Sequence, residues 1–208
     1  MGEVIFVMRR NFPIYLLRHG ETEWNNEHRF QGWLDSALTP NGIAQAQTQG
    51  RLLQEMITRQ GYDAVTDFRT SPLGRAARSA RLIARAYPDL PTLVQDARLR
   101  EVNMGQWQGL TRAEVQANWP VRFDTEAQVY RHSLLTQGGE TRAALEARLQ
   151  DLVADLTGPS LLVSHGVVIQ TLRGLLRGLD PDQTALLGHA QGGVYVITAN
   201  GGEVKIGF

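Results

Sequence analysis

Short apolar runs divide the chain and predict strands buried inside a sheet. "IYLL" leads directly into Arg18, His19 and Gly20, and "SLLVS" leads into His165 and Gly166. "DAVTDFRTSP" combines a further short apolar segment with a turn. Continuous apolar runs bounded by polar or turn residues are typical of strands covered on both faces. Two of the predicted strands therefore end at a histidine.

Apolar residues at helical spacing fill the intervals between these strands. Thr39 and Pro40 are typical of an N-cap and a first helical position, and they open a periodic segment that runs to Ile57. A second helix is predicted at about 73–87, where a proline stops it. Two more helices are predicted at 145–156 and in "VVIQTLRGLLRG".

The closing segments "GVYVITAN" and "EVKIGF" predict two strands joined by a hairpin at Asn200 and Gly201. Strands that alternate with helices favour an α/β protein with three α/β/α layers and a mainly parallel central sheet. We expect a single domain over residues 1–208, with residues 1–12 as an extended or disordered N-terminal lead.

The charges are balanced, with 21 basic and 21 acidic residues. No overall field therefore recruits nucleic acid or an anionic membrane, and any anion site has to be local. Lys205 is the only lysine, so a basic contact to a ligand is predicted to come from arginine, whose planar group matches phosphate oxygens in pairs.

The chain contains no cysteine, which excludes a disulfide framework, a cysteine nucleophile and thiolate metal sites. The first residues, "MGEVIFVMRRNF", fit neither a signal peptide nor a membrane span, and Met8 is an alternative start. We therefore expect a cytoplasmic protein.

Chemistry is predicted where the strands end. The carboxyl ends of parallel strands lie at one edge of a sheet, and ligands bind there in open α/β folds. His19 and His165 are expected to meet at this edge beside Arg18, and Arg75 follows the third predicted strand. A lone histidine in such a place is more often a capping residue, so the arginines decide the interpretation. Two guanidinium groups and two imidazoles near helix N-termini indicate a phosphate site.

The motifs resemble those of the phosphoglycerate mutase-like histidine phosphatases. "LLRHGETEWN", "RFQGWLDSALTPNGIAQA", "TSPLGRA", "LREVNMGQWQGL", "QGGET" and "LLVSHG" follow one another in the family's order. The resemblance implies the phosphoglycerate mutase-like fold, with His19 as the phosphorylated nucleophile and Glu101 as the proton donor and acceptor. It also implies that the phosphoryl group is held by Arg18, Asn25, Arg75 and His165.

Further residues receive weaker assignments. Gln31 and Gly32 resemble a family segment that contacts the substrate, and Gly166 completes the motif of the second histidine. Thr22 is a further phosphate donor or, alternatively, a helix cap. No cluster of metal ligands is evident, so neither a metal nor another cofactor is predicted. Three histidines match no catalytic motif, namely His28, His132 and His189.

Two features favour a phosphatase over a mutase within this family. Only residues 102–164 separate Glu101 from His165, which leaves no room for the long mutase insertion and its basic residues, and "VNM" follows the acid where mutases tend to have arginine, histidine and tyrosine. We therefore predict metal-independent hydrolysis of small phosphomonoesters through a phosphohistidine. The alternatives are a phosphoglycerate mutase, which would use 2,3-bisphosphoglycerate, and a catalytically silent binding or scaffold protein.

The expected partner is a small phosphorylated metabolite, and neither nucleic acid nor a membrane is expected. Phosphoglycerates, phosphoserine, sugar phosphates and nucleoside-precursor phosphates all stay open as substrates. Apolar edge strands are compatible with a homodimer.

Overall fold

A six-stranded sheet forms the centre of the computed structural model, which describes residues 10–208. The predicted lead at 1–12 lies mostly outside the described residues, and residues 10–12 have no regular structure. The strands are β1 (Ile14–Arg18), β2 (Asp67–Thr70), β3 (Leu93–Gln95), β4 (Ser160–Ser164), β5 (Val194–Ile197) and β6 (Glu203–Ile206). They lie in the order β3-β2-β4-β1-β5-β6.

The helices include the four that the periodic pattern predicted, at Pro40–Arg59, Gly74–Ala86, Arg142–Ala154 and Gly166–Arg177. The full set is α1 (Glu23–Asn26), α2 (Pro40–Arg59), α3 (Gly74–Ala86), α4 (Arg112–Asn118), α5 (Glu126–Ser133), α6 (Arg142–Ala154), α7 (Gly166–Arg177) and α8 (Pro181–Ala185), with single 3₁₀ turns at Ala97–Leu99 and Gly105–Trp107. The sequence pattern did not predict α1, α4, α5, α8 or β3.

The sheet is parallel from β3 through β2 and β4 to β1, and β5 and β6 add an antiparallel pair at the other side. The mainly parallel sheet and the closing hairpin are therefore confirmed. Gly201 lies in the hairpin turn with a φ of 82°, a left-handed conformation that glycine adopts without a steric penalty.

Alternate residues of β1 enter two hydrophobic cores on opposite faces of the sheet. Ile14 and Leu16 pack with residues of α6 and α7, whereas Tyr15 and Leu17 pack with residues of α2 and α3. Successive side chains of a strand point to opposite faces, so an uninterrupted apolar run requires cover on both sides. The predicted three-layer arrangement is confirmed.

The pairing of β1 with β4 brings the two strand-end histidines together. Arg18 lies opposite Ser164 in the parallel register, and His19 and His165 follow immediately. The His19 N–H donates to Ser164 O at 2.9 Å, which continues the ladder by one residue. Within residues 10–208, no helix is long and apolar enough to cross a membrane.

Candidate active site

His19 is buried at the carboxyl end of β1 with one ring nitrogen already bound by the protein. Its Nδ1 lies 2.7 Å from Gly20 O. A carbonyl oxygen only accepts, so this contact places the proton on Nδ1 and leaves the lone pair of a neutral ring on Nε2. Burial, followed by the charges of Arg75 and Arg18, lowers the pKa of His19 well below its ordinary value. The ring is therefore neutral at pH 7, and its unprotonated Nε2 accepts from Arg75 Nε at 3.3 Å.

Arg75 is fixed by the loop that follows α1. Its Nη1 donates to Leu34 O at 2.7 Å and to Asp35 Oδ1 at 3.0 Å, and its Nη2 donates to Gly32 O at 2.8 Å. Its Nε lies 3.3 Å from His19 Nε2. In a planar guanidinium, Nε–H and one Nη2–H lie parallel along the same edge. That edge, which faces His19, can bind two oxygens of a phosphoryl group.

Arg18 adds a second, half-buried cation. Its Nη1 donates to His189 O at 2.9 Å, and its Nε is buried with no hydrogen-bond partner among the described residues. Burial lowers the pKa of Arg18 to about 10, partly offset by the charge of Glu101, so the guanidinium stays charged at neutral pH. A buried donor without a partner is costly unless a ligand satisfies it.

His165 lies beside His19, with the ring centroids 5.2 Å apart. Its Nε2 lies 2.8 Å from Ser71 Oγ, and its Nδ1 is buried without a hydrogen-bond partner among the described residues. Burial and the charge of Arg75 lower the pKa of His165 well below its ordinary value. If Ser71 donates its hydroxyl proton to Nε2, Nδ1 carries the ring proton. The ring is fully buried next to His19, and His165 is not among the residues that border the cavity.

Glu101 is held at the start of α7, close to both arginines. Its Oε1 accepts from Val102 N at 2.9 Å and its Oε2 accepts from Val167 N at 3.3 Å. Burial raises the pKa of Glu101 above its ordinary value, despite these two hydrogen bonds and the charge of Arg75. A carboxyl group with a raised pKa keeps part of its population protonated and can donate a proton.

Asn25 borders a cavity that is also lined by Arg18, His19, Arg75 and Glu101. Its Oδ1 accepts from Thr22 N at 3.1 Å and from Gln191 Nε2 at 3.3 Å, which leaves the amide N–H groups free of partners in the described residues. Thr22 Oγ1 accepts from Asn25 N at 3.2 Å and from Gln31 Nε2 at 2.8 Å. Thr22 does not border the cavity; it lies behind the wall as the cap of α1, the alternative role that the sequence allowed.

Gln31, Gly32 and Gly166 border the cavity together with Arg18, His19, Asn25, Arg75 and Glu101. The cavity also has walls that the sequence did not predict. His189 enters from the loop between α8 and β5. The lining also contains the apolar or aromatic side chains of Phe30, Met104, Val129 and Tyr130.

Two further arginines reach the rim, and both are paired. Arg112 donates from its two terminal nitrogens to Glu126 at 2.8 and 3.1 Å. Arg29 donates to Glu27 at 2.9 Å and lies 3.6 Å from Glu114. Arg112 comes from the short segment between the acid and the second histidine, and it borders the cavity. Its charge is matched by Glu126.

Residues 10–208 contain no group of three or more histidine, aspartate or glutamate side chains placed to hold a metal ion. The cations next to His19 are the guanidinium groups of Arg18 and Arg75.

The comparisons with known proteins agree with this geometry. A profile of the histidine phosphatase superfamily (branch 1) matches residues 14–207. Proteins named probable phosphoglycerate mutase GpmB from Serratia proteamaculans and Yersinia pestis are 36% and 38% identical over 173 residues, which cover 80% of this chain and 75% of each relative.

Solved structures are also similar to this chain. YhfR of Bacillus stearothermophilus superposes with a TM-score of 0.72 at 30% identity and covers 89% of this chain and 90% of its own. A mycobacterial glucosyl-3-phosphoglycerate phosphatase superposes with a TM-score of 0.75 at 26% identity and covers 95% of this chain and 98% of its own. The chain belongs to branch 1 of the histidine phosphatase superfamily.

Proposed function

We propose that this protein is a phosphatase that hydrolyses small phosphomonoesters in two steps through a phosphohistidine on His19. The placement of His19 carries the proposal. The ring is buried, its Nδ1 is held by Gly20 O, and its Nε2 lies 3.3 Å from Arg75 Nε. A neutral imidazole with an unprotonated nitrogen inside a cationic cavity is suited to attack phosphorus.

In the first step, His19 Nε2 forms a bond to phosphorus as the ester P–O bond breaks. Negative charge on the phosphoryl oxygens is stabilised by Arg18 and Arg75, and the Asn25 amide and His165 Nδ1 add hydrogen bonds. The Glu101 carboxyl group donates its proton to the departing alcohol oxygen, so the alcohol leaves neutral. The products of this step are the alcohol, a phosphohistidine and a Glu101 carboxylate.

In the second step, water attacks the phosphorus of the phosphohistidine. The Glu101 carboxylate takes a proton from this water, the P–N bond breaks, and inorganic phosphate leaves. His19 and the protonated Glu101 are restored. Fixed guanidinium groups supply the positive charge at each step, so we propose that turnover requires no metal ion.

Phosphoglycerate mutase is the second candidate, because the curated relatives that match at 36% and 38% identity are named probable phosphoglycerate mutases. The ion pairs at the rim of the cavity favour hydrolysis. A mutase has to hold its dephosphorylated product through a second anionic group, and Arg112 is already paired with Glu126. The scaffold alternative is disfavoured, because Arg18 Nε and His165 Nδ1 are buried with no hydrogen-bond partner among residues 10–208.

We propose a small phosphorylated metabolite as the partner and the cytoplasm as the compartment. The cavity next to His19 is lined by four arginines, Arg18, Arg29, Arg75 and Arg112, which supports the first statement. The lack of cysteine fits a reducing compartment.

The proposal is tested by replacing and labelling the nucleophile. His19→Ala should lower kcat for p-nitrophenyl phosphate by roughly a thousandfold or more, because no other group can form the covalent intermediate. His132→Ala, in which a histidine outside the cavity is removed, is the matched control and should keep wild-type turnover. Rapid quenching into alkali during turnover, followed by peptide mass spectrometry, should find phosphate on His19. Phosphate on another residue, or normal turnover by His19→Ala, would contradict the mechanism.

A further inference from the structure

His189 borders the cavity but takes no part in the proposed phosphoryl transfer. A Cβ on Gly166 would come within 2.6 Å of His189 Cδ2, so the half-buried ring rests on the backbone at the start of α7. The main-chain oxygen of His189 accepts from Arg18 Nη1 at 2.9 Å. His189 therefore lies beside Arg18, which is proposed to bind the phosphoryl group, and against the backbone of Gly166.

The orientation and the proton of this ring are set by Gln170. Gln170 Nε2 donates to Thr184 O and to Ala185 O, both at 2.9 Å. These two contacts fix which end of the amide is oxygen, and Gln170 Oε1 lies 2.8 Å from His189 Nδ1. Because that oxygen only accepts, Nδ1 carries the ring proton. The lone pair of the neutral ring is therefore on Nε2.

His189 Nε2 makes no hydrogen bond to the described residues, and the ring borders the cavity. Burial, followed by the charges of Arg18 and Arg112, lowers the pKa of His189 to about 3. The ring is neutral at pH 7 and presents an acceptor. Hydrogen-bond donors for a phosphoryl group come from Arg18, Arg75 and Asn25. In contrast, His189 Nε2 is an acceptor, and an ionised phosphoryl oxygen has no hydrogen to donate to it.

We propose that His189 Nε2 is a specificity-determining acceptor for a hydroxyl group of the substrate, carried on the carbon next to the ester carbon. The preferred substrates are then phosphomonoesters of polyols, such as glycerol or sugar phosphates, over phosphates of simple alkyl alcohols. This inference rests on the proposed phosphatase function. A single neutral hydrogen bond corresponds to about a 3- to 10-fold preference in kcat/KM.

The experiment compares the full-length protein on two esters that differ in their hydroxyl groups, glycerol 3-phosphate and n-propyl phosphate. The wild-type ratio of kcat/KM should favour glycerol 3-phosphate by at least about threefold. His189→Asn keeps an N–H for Gln170 but lacks the outer nitrogen, and its ratio should fall to near one. His189→Phe is a second variant, because its ring fills the space that the asparagine of His189→Asn leaves empty. Its ratio of kcat/KM for the two esters should also fall to near one.

The matched control is Asn25→Ala, which removes a proposed phosphate contact on another wall. It should lower kcat/KM for both esters and leave their ratio at the wild-type value. An equal ratio in the wild type and both His189 variants would overturn the inference, as would hydrolysis of p-nitrophenyl phosphate with neither alkyl ester. Failure of the wild type to release phosphate from any of the three esters would overturn the proposed function itself, and the inference with it.

Discussion

Arg75 enters the site with much of its hydrogen-bonding capacity already used by the protein. Three of its N–H groups donate to Gly32 O, Leu34 O and Asp35 Oδ1, and Nε donates to the nucleophile at His19 Nε2. A side chain held by three fixed oxygens loses little freedom when a ligand binds, so its charge is positioned before the reaction begins. The guanidinium group thus holds the loop at residues 32–35 in place and is also positioned to contact a phosphoryl group.

Replacing Arg75 by lysine keeps the charge and removes the planar group. The single ammonium of Arg75→Lys cannot contact the loop oxygens and two phosphoryl oxygens together, so we expect kcat for p-nitrophenyl phosphate to fall by about 100-fold. Arg78→Lys is the control, because Arg78 lies on the exposed side of the same helix. Steady-state kinetics measure both variants, and wild-type kcat in Arg75→Lys would show that only the charge matters.

The loop after β1 and the first turn of α2 are in direct backbone contact at two glycines. A Cβ on Gly20 would lie 2.0 Å from Gly42 O, and a Cβ on Gly42 would lie 2.0 Å from Glu21 O. The first turn of α2 therefore packs against the loop that follows β1 with no side chain between them. Because Gly20 O also holds His19 Nδ1, this contact couples the position of α2 to the orientation of the nucleophile.

Gly42→Ala should force this contact apart. We expect a loss of roughly 2 kcal/mol in the free energy of unfolding, together with a lower kcat, because the carbonyl that orients His19 has to move. Urea unfolding and assays on p-nitrophenyl phosphate measure the two effects. Asn41→Ala, at an exposed neighbouring position, should change neither. Wild-type stability and kcat in Gly42→Ala would mean that the two backbones are not in contact.

Long periodic segments and runs that end in diagnostic residues made the main elements predictable. In α2, the cap at Thr39 and the proline at the first position match the structure. In contrast, α4 has only 7 residues, and Val115 is the one that is buried. So short a helix shows no apolar period in the sequence. β3 is short and partly exposed at the edge of the sheet, and its composition gives no clear strand signal.

The same distinction applies to the site. His19 and His165 were predictable because parallel strands end at one edge. Glu101 lies in a loop beside β4, where Ser164 Oγ donates to Leu99 O at 2.7 Å, and only the family resemblance singled it out. His189 belongs to no motif and reaches the cavity through the return of β5 alongside β1. The spacing of residues in the sequence does not predict that β5 pairs with β1.

For the whole molecule, the neutral buried histidines imply acid sensitivity. The pKa values of His19 and His165 are lowered well below the ordinary value of 6.5. The unfolded chain therefore binds more protons than the folded protein below pH 6.5, and stability is lost as the pH falls through that value. From pH 7.5 to 5.5, we expect these two histidines to reduce the free energy of unfolding by roughly 2 to 3 kcal/mol.

Urea unfolding at pH 7.5 and pH 5.5 measures this loss directly. His165→Gln should unfold with a smaller difference between the two pH values, since one of the histidines with a lowered pKa is gone. Equal stability of the wild type at both pH values would contradict the burial of neutral rings.

The shape and charge of the complete cavity determine whether water or an alcohol takes the phosphoryl group from His19. A mutase keeps its dephosphorylated intermediate bound until a second hydroxyl is phosphorylated, which requires a firm grip on a carboxylate. Arg112 and Arg29 are the rim cations, and Glu126 and Glu27 are paired with them. The intermediate is thus expected to leave before it is rephosphorylated, and water attacks instead.

Incubation with 3-phosphoglycerate should therefore release inorganic phosphate faster than it forms 2-phosphoglycerate, with or without added 2,3-bisphosphoglycerate. Both products are followed in the same reaction by a phosphate assay and by NMR. Glu126→Gln unpairs Arg112, so it should lower KM for 3-phosphoglycerate and raise the share of isomer, whereas Glu55→Gln on the outer surface of α2 should do neither. Isomer formation that far exceeds phosphate release in the wild type would identify a mutase, because the cavity would then retain its intermediate without an unpaired rim cation.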